Sequence, residues 1–168
     1  MAYEEATYSI VDQNNFYEIL NYKDRLAIQV KYINSDGAFR KLFKYISGSN
    51  VNSKKINMTI PATQTNHNGG KVMQFFLPSN FTEKNAPAPT NKELDLITIK
   101  QGYYAVIKYS GRLTDKNFNK HKKILKNNLI KDNIKILGSA IRATYNGPFT
   151  LPFLRRNEVM FLIVWTDK

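Results

Sequence analysis

Near the end of the chain, Pro152-Phe153-Leu154-Arg155-Arg156-Asn157-Glu158 sets two guanidinium groups and a carboxylate just ahead of Val159-Met160-Phe161-Leu162-Ile163-Val164-Trp165. That second run is apolar at consecutive positions, the pattern of a strand covered on both faces in the middle of a sheet. Arg155, Arg156 and Glu158 therefore fall where core meets solvent. Two arrangements are open there. One is the rim of a pocket, with Arg155 offered to a ligand carboxylate. The other is a structural ion pair, in which Glu158 and one arginine neutralise each other and tie the last loop to the sheet. Pro148, Phe149, Pro152 and Phe153 surround the turn before these charges, and Phe43 and Lys44 are neighbours on a predicted helix. Aromatic faces suit a flat apolar ligand, and Lys or Arg suits an anionic group on its edge. Packing of the same rings into a core, with solvated charges, is the competing arrangement.

Other chemistry finds little support. There is no cysteine, so neither a disulfide framework nor a thiolate site. Of two histidines, His67 falls in a predicted hairpin turn and His121 at the edge of a predicted helix stripe, which makes both weak metal candidates. Gly69-Gly70 is isolated and follows no strand–helix pattern, so no phosphate loop is read. No metalloprotease helix motif, nucleophile elbow or close carboxylate pair is present. The expectation is a binding protein, not an enzyme.

The chain of 168 residues is long enough for one domain with its own core. Its formal charge of +12 favours anionic partners. The excess is mostly lysine spread along the chain, without a helix or zinc-finger signature, so specific nucleic-acid binding is not expected. No basic leader precedes an apolar stretch, and no apolar run approaches the roughly 20 residues of a membrane span. These features lead us to expect a cytoplasmic protein without a membrane partner; no protein partner is assigned.

Strands are expected at Tyr3 to Val11, Phe16 to Tyr22 and Arg25 to Ile33, the last two joined by a tight turn at Lys23-Asp24. Leu26, Ile28, Val30 and Tyr32 alternate with Ala27, Gln29 and Lys31, as on a half-buried strand. Ser35 or Asp36 is the expected cap of a helix whose stripe is Ala38, Phe39, Leu42, Phe43 and Ile46, ended by Gly48. Extended chain at Lys55 to Thr65, a turn at His67-Asn68-Gly69-Gly70 and a strand at Lys71 to Leu77 follow. After a proline-rich loop, a second hairpin is expected, with Leu94 to Ile99 and Tyr103 to Tyr109 joined through a Gln101-Gly102 turn. A helix capped by Thr114 then runs to Ile130, with Phe118, Leu125 and Leu129 buried. Ile136 to Tyr145 and Val159 to Trp165 close the chain. The order repeats at an offset of about 78 residues, Ala27 against Ala105 and Ile28 against Val106. A single pseudo-two-fold α+β domain follows, with repeats at about 16–77 and 94–165 and both helices outside an antiparallel sheet or open barrel.

Several stretches resemble the SOUL haem-binding protein family. They are Tyr17-Glu18-Ile19 with Tyr22; Ala38 to Gly48 followed by Asn50; Lys55-Ile56, Met58-Thr59 and Pro61; Phe76-Leu77-Pro78-Ser79; Tyr145-Asn146 with Pro148; and Arg155-Arg156-Asn157-Glu158-Val159. The likeness runs in order from about residue 5 to 165. It implies two pseudo-symmetric hairpin–helix repeats forming a curved antiparallel eight-stranded sheet or distorted barrel with two helices outside. It also implies reversible, non-covalent binding of haem or another tetrapyrrole, as carrier or buffer. Carried over, the ligand-binding positions are Phe39, Phe43 and Lys44 on the first helix, with Tyr145, Phe149, Phe153, Arg155 and Glu158 around the closing loop. Where some members carry a proposed axial histidine this chain has Asn21, and an amide is a poor haem-iron ligand. The fold is also similar to that of gyrase-inhibitor-like effector domains, which bind apolar, often cationic molecules near a buried glutamate. Glu158 read that way gives the alternative: a small-molecule sensor or protein-interaction domain that does not bind haem.

Overall fold

The computed structural model describes residues 3–34 and 37–166. The strands are β1 (Glu4–Glu5), β2 (Tyr8–Gln13), β3 (Glu18–Tyr22), β4 (Arg25–Tyr32), β5 (Thr59–Ile60), β6 (Ala62–His67), β7 (Gly70–Phe76), β8 (Leu94–Ile99), β9 (Gly102–Tyr109), β10 (Ile141–Thr144) and β11 (Asn157–Ile163). Helix α1 (Ala38–Ile46) follows β4 and helix α2 (Asp115–Lys131) follows β9. The chain divides into two compact units, Met1–Ala6 with Asp24–Lys100, and Thr7–Lys23 with Gln101–Lys168.

In the first unit four antiparallel strands lie in the order β6-β7-β4-β8, and β1 pairs in parallel with β5. Turn residues at positive φ, Asn68 and Gly69, close the β6–β7 hairpin where the sequence places it. Helix α1 lays Ala38, Leu42, Tyr45 and Ile46 on Ile28, Val30, Met73, Phe75 and Leu94. It starts from Gly37 at φ 83. The expected caps Ser35 and Asp36 lie outside the described residues. It stops at Gly48, at φ 118, where the Ser49 N–H donates back to the Lys44 carbonyl at 2.9 Å. Phe39 and Phe43 were expected within the buried stripe. Instead they are half-exposed, and Tyr45 takes the inward position, its hydroxyl donating to the Pro87 carbonyl at 2.7 Å.

In the second unit five antiparallel strands lie in the order β2-β3-β9-β11-β10. β11 is flanked on both sides and six of its seven residues are buried, as the uninterrupted apolar run required. Helix α2 packs Phe118, Leu125 and Leu129 against Tyr17, Ile19, Ala105, Ile107, Val159 and Phe161. Thr114 caps it, its side chain accepting the Asn117 N–H at 3.1 Å. β10 is shorter than expected, with Ile136 reduced to an isolated bridge to Ile163.

Among the described residues the architecture is α+β, each unit having one antiparallel set of strands and one α-helix, with the parallel β1–β5 pair beside them in the first unit. The two sets hold nine strands where eight were expected. The tight-turn hairpins at Lys23-Asp24 and Gln101-Gly102 are not formed. β3 pairs with β2 and β9, whereas β4 pairs with β7 and β8. None of these four turn residues has the positive φ that a two-residue hairpin needs.

Candidate functional site

In the second unit the closing motif builds a buried polar cluster. β11 carries Glu158 inward with no exposed surface. The Tyr145 hydroxyl, just after β10, donates to Glu158 Oε1 at 2.5 Å. Arg156 donates to Glu158 Oε2 from Nε at 3.3 Å and from a terminal nitrogen at 3.1 Å. Its guanidinium also lies 3.8 Å from the centre of the Tyr145 ring. Burial pushes Glu158 above the ordinary carboxylate value, while Tyr145 and Arg156 pull it back. Burial, with Glu158 and Tyr22 beside it, pushes the Tyr145 hydroxyl far up. Of the two arrangements open in the sequence, the Glu158–arginine pair is the one built, and the arginine is Arg156. Tyr22 meets Tyr104 edge to face at 5.5 Å and Tyr8 at 5.3 Å, extending a run of aromatic rings that the sequence reading did not single out. The β2–β3 pairing, which sets Tyr8 opposite Tyr22, and the β3–β9 pairing, which brings Tyr104 alongside, explain that run.

Arg155 is not on a rim. Only 7% of it is exposed, and its guanidinium turns back on its own loop, donating to the Gly147 carbonyl at 2.9 Å and the Asn146 carbonyl at 3.2 Å. The Arg156 N–H adds a 2.6 Å bond to Asn146 Oδ1. These bonds close the loop between β10 and β11, and Asn157 Nδ2 donates to the Gly111 carbonyl at 3.1 Å. Arg155 thus occupies a core position that solvates loop carbonyls, a use of a guanidinium that its sequence neighbours do not reveal. Phe149 and Phe153 point outward from this loop, 97% and 71% exposed.

In the first unit the remaining candidates sit together on α1. Phe39 and Phe43, one turn apart, are 51% and 49% exposed, with rings near-parallel at 6.1 Å between centres. Phe39 is braced edge-on by the buried Phe75 at 5.1 Å. Lys44 and Arg40 are exposed beside them. An apolar face with cations at its margin is the arrangement that suits a flat ligand bearing carboxylates.

Neither histidine stands free. The His67 ring nitrogen Nε2 is 3.1 Å from the Asn68 amide, on the open cleft that Lys31 and Lys71 also line. His121 stacks on Tyr109 at 4.1 Å, and its Nδ1 contacts the Asn117 carbonyl at 2.8 Å. Asn21, on β3, accepts from Gln101 Nε2 at 2.6 Å. Among the described residues no group of three or more His, Cys, Asp or Glu side chains gathers to hold a metal, and no helix is long and apolar enough to cross a membrane. Phe39 and Phe43 offer apolar ring faces, and Arg40 and Lys44 carry the charge that suits a carboxylate. Separately, the Asn21 amide is a poor ligand for haem iron.

The family model described as SOUL heme-binding protein matches residues 3–162. No curated protein matches the chain. Solved structures share its fold at low identity. The C-terminal domain of EcmrR has a TM-score of 0.66 at 10% identity, covering 89% of this chain and 99% of that one. A hydrolase from Listeria innocua has a TM-score of 0.63 at 9% identity, covering 92% and 94%. SAV2435 bound to tetraphenylphosphonium has a TM-score of 0.50 at 11% identity, covering 88% and 93%. At such identity these likenesses speak to the fold alone.

Proposed function

We propose, for a chain that belongs to the SOUL haem-binding protein family, that it binds haem or a related tetrapyrrole without a covalent link, as a carrier or buffer and not as an enzyme. One observation carries the reading: a stacked pair of phenyl rings left half-exposed on α1, braced from below by Phe75. A nine-residue helix with room for an inward stripe keeps two large rings outward at the cost of hydrating them, which a flat apolar ligand would relieve. In this reading Phe39 and Phe43 hold the macrocycle and Lys44 meets a propionate. Asn21 supplies no axial bond, so affinity rests on ring packing and edge charge, which predicts moderate and reversible binding. Haem titrated into wild type should give a saturable Soret shift at micromolar protein. Phe39→Ser/Phe43→Ser or Lys44→Ala should weaken it. An unchanged shift in both variants would sink the proposal.

A second reading, binding of an apolar cation, has its own observation in the fully buried Glu158 among tyrosine rings. SAV2435, a protein of this fold, is bound to tetraphenylphosphonium. Here, however, Arg156 already covers the Tyr145 ring and pairs with Glu158, so an incoming cation must displace a tethered one. Tetraphenylphosphonium is therefore expected to leave the melting temperature of the wild type unchanged. Stabilisation that disappears in Glu158→Gln would favour the second reading over the first.

A further inference from the structure

The loop between β10 and β11 spends four large apolar side chains on solvent. Phe149, Leu151, Phe153 and Leu154 are all exposed, while Arg155, Asn146 and Asn157 bond the loop's base firmly in place. The same loop is tied to the approach to α2, for the Gly111 N–H donates to the Pro152 carbonyl at 2.8 Å. Leu113, exposed, stands in that approach, and Arg112 beside it is exposed too.

From there α2 carries Lys116, Lys120, Lys123 and Lys131, all exposed. At 3.6 residues per turn they fall within one arc of the helix, opposite the buried Phe118, Leu125 and Leu129. None of these four lysines takes part in an ion pair among the described residues, whereas Asp115, the acidic residue of the first turn, is held by Arg142 at 2.7 Å. A fixed apolar projection thus adjoins a run of unneutralised lysines on the solvent face of a helix.

We propose that the second unit docks on an anionic lipid bilayer surface. The Phe149–Leu154 loop enters the boundary between headgroups and acyl chains, and the lysines of α2 meet the acidic headgroups. The partner must offer dense negative charge beside a hydrocarbon layer, and an anionic bilayer offers both. A polynucleotide would use the lysines and could stack on the two phenyl rings, but Leu113, Leu151 and Leu154 present no stacking face. Binding at a surface needs no spanning helix. This proposal does not rest on the tetrapyrrole reading, because it concerns residues of the second unit and the haem-free protein.

The test is co-sedimentation of the full, haem-free chain with vesicles of phosphatidylcholine alone or mixed with phosphatidylglycerol, at low and physiological salt. Binding to the mixed vesicles only, weakened by salt, is expected. Lys116→Ala/Lys120→Ala/Lys123→Ala should lower partitioning about a hundredfold, taking about fivefold per charge at an anionic surface. Phe149→Ser/Phe153→Ser should lower it at least about tenfold, since each ring removes sizeable apolar area from water. Every substituted side chain is exposed, so circular dichroism should be unchanged in both variants. Phe39→Ser/Phe43→Ser should bind vesicles like wild type. No sedimentation with anionic vesicles at low salt overturns the proposal, as does equal sedimentation of the Phe149→Ser/Phe153→Ser variant. Tighter, Phe149- and Phe153-dependent capture of single-stranded DNA would overturn it in favour of a nucleic acid.

Discussion

Replacing Arg156 by alanine leaves Glu158 inside the second unit without its cation. The carboxylate has no exposed surface, and the Arg156 side chain is about one-third exposed. Removing one partner of a buried ion pair costs about 3–5 kcal/mol when both charges are fully desolvated. Solvent around Arg156 discounts that, and the Tyr145 hydroxyl still serves Oε1. The stacked guanidinium adds about 0.5–1 kcal/mol over the ring. The expected loss is therefore about 2–3 kcal/mol near neutral pH, a large share of a typical domain's stability. The loss should depend on pH. Burial holds Glu158 in the folded state above its ordinary value of 4.5, and taking Arg156 away raises it further. A raised folded value means that the folded state keeps a proton the unfolded state has released. Stability then falls as pH climbs from 4.5 through the folded value and is flat above it. The penalty of Arg156→Ala should shrink at acid pH, where Glu158 is neutral in both states. Urea unfolding of wild type and variant at acid and neutral pH measures this. Adding Glu158→Gln should recover more than half of the neutral-pH loss, because glutamine still accepts from Tyr145 without a charge. An equal penalty at both pH values, or a further loss on adding Glu158→Gln, would refute the reasoning.

Arg155→Ala should release the loop between β10 and β11. Two charge-assisted bonds to the Gly147 and Asn146 carbonyls are lost, at about 2 kcal/mol together after rehydration of the carbonyls. Chymotrypsin should then cut at Phe149 or Phe153 faster than in wild type; unchanged cleavage contradicts the clamp. Phe39→Ser/Phe43→Ser should fold normally, since half of each ring already faces solvent. It should weaken haem binding at least about tenfold, because two half-exposed rings place on the order of 200 Å² of apolar surface at stake.

Much of the fold was legible because periodicity reports burial directly. The unbroken apolar run placed β11 between two neighbours, and Thr114 with the Phe118, Leu125, Leu129 spacing placed α2. Pairing partners were not legible. Lys23-Asp24 and Gln101-Gly102 read as tight turns because they are short and polar, but a two-residue hairpin turn needs positive φ, and none of the four has it. The closing cluster of charges was legible by residue type, but not the direction each side chain takes. Arg155 and Arg156 are neighbours with the same chemistry, and strand alternation decides which one reaches Glu158; it is Arg156, two residues from it. Likewise Phe39 and Phe43 fit the helical stripe by spacing, but Tyr45, with a carbonyl within reach of its hydroxyl, takes the inward place. That exchange leaves the rings on the surface where a ligand can meet them.

Haem titration of the haem-free protein, followed in the Soret region with a parallel count of bound haem per chain, tests the central claim most directly. Saturation at one haem per chain, with a spectrum lacking the signature of a histidine-ligated iron and with weakened binding in Phe39→Ser/Phe43→Ser, is the predicted result. A linear, non-saturating response, or saturation indifferent to those two rings, would contradict the account.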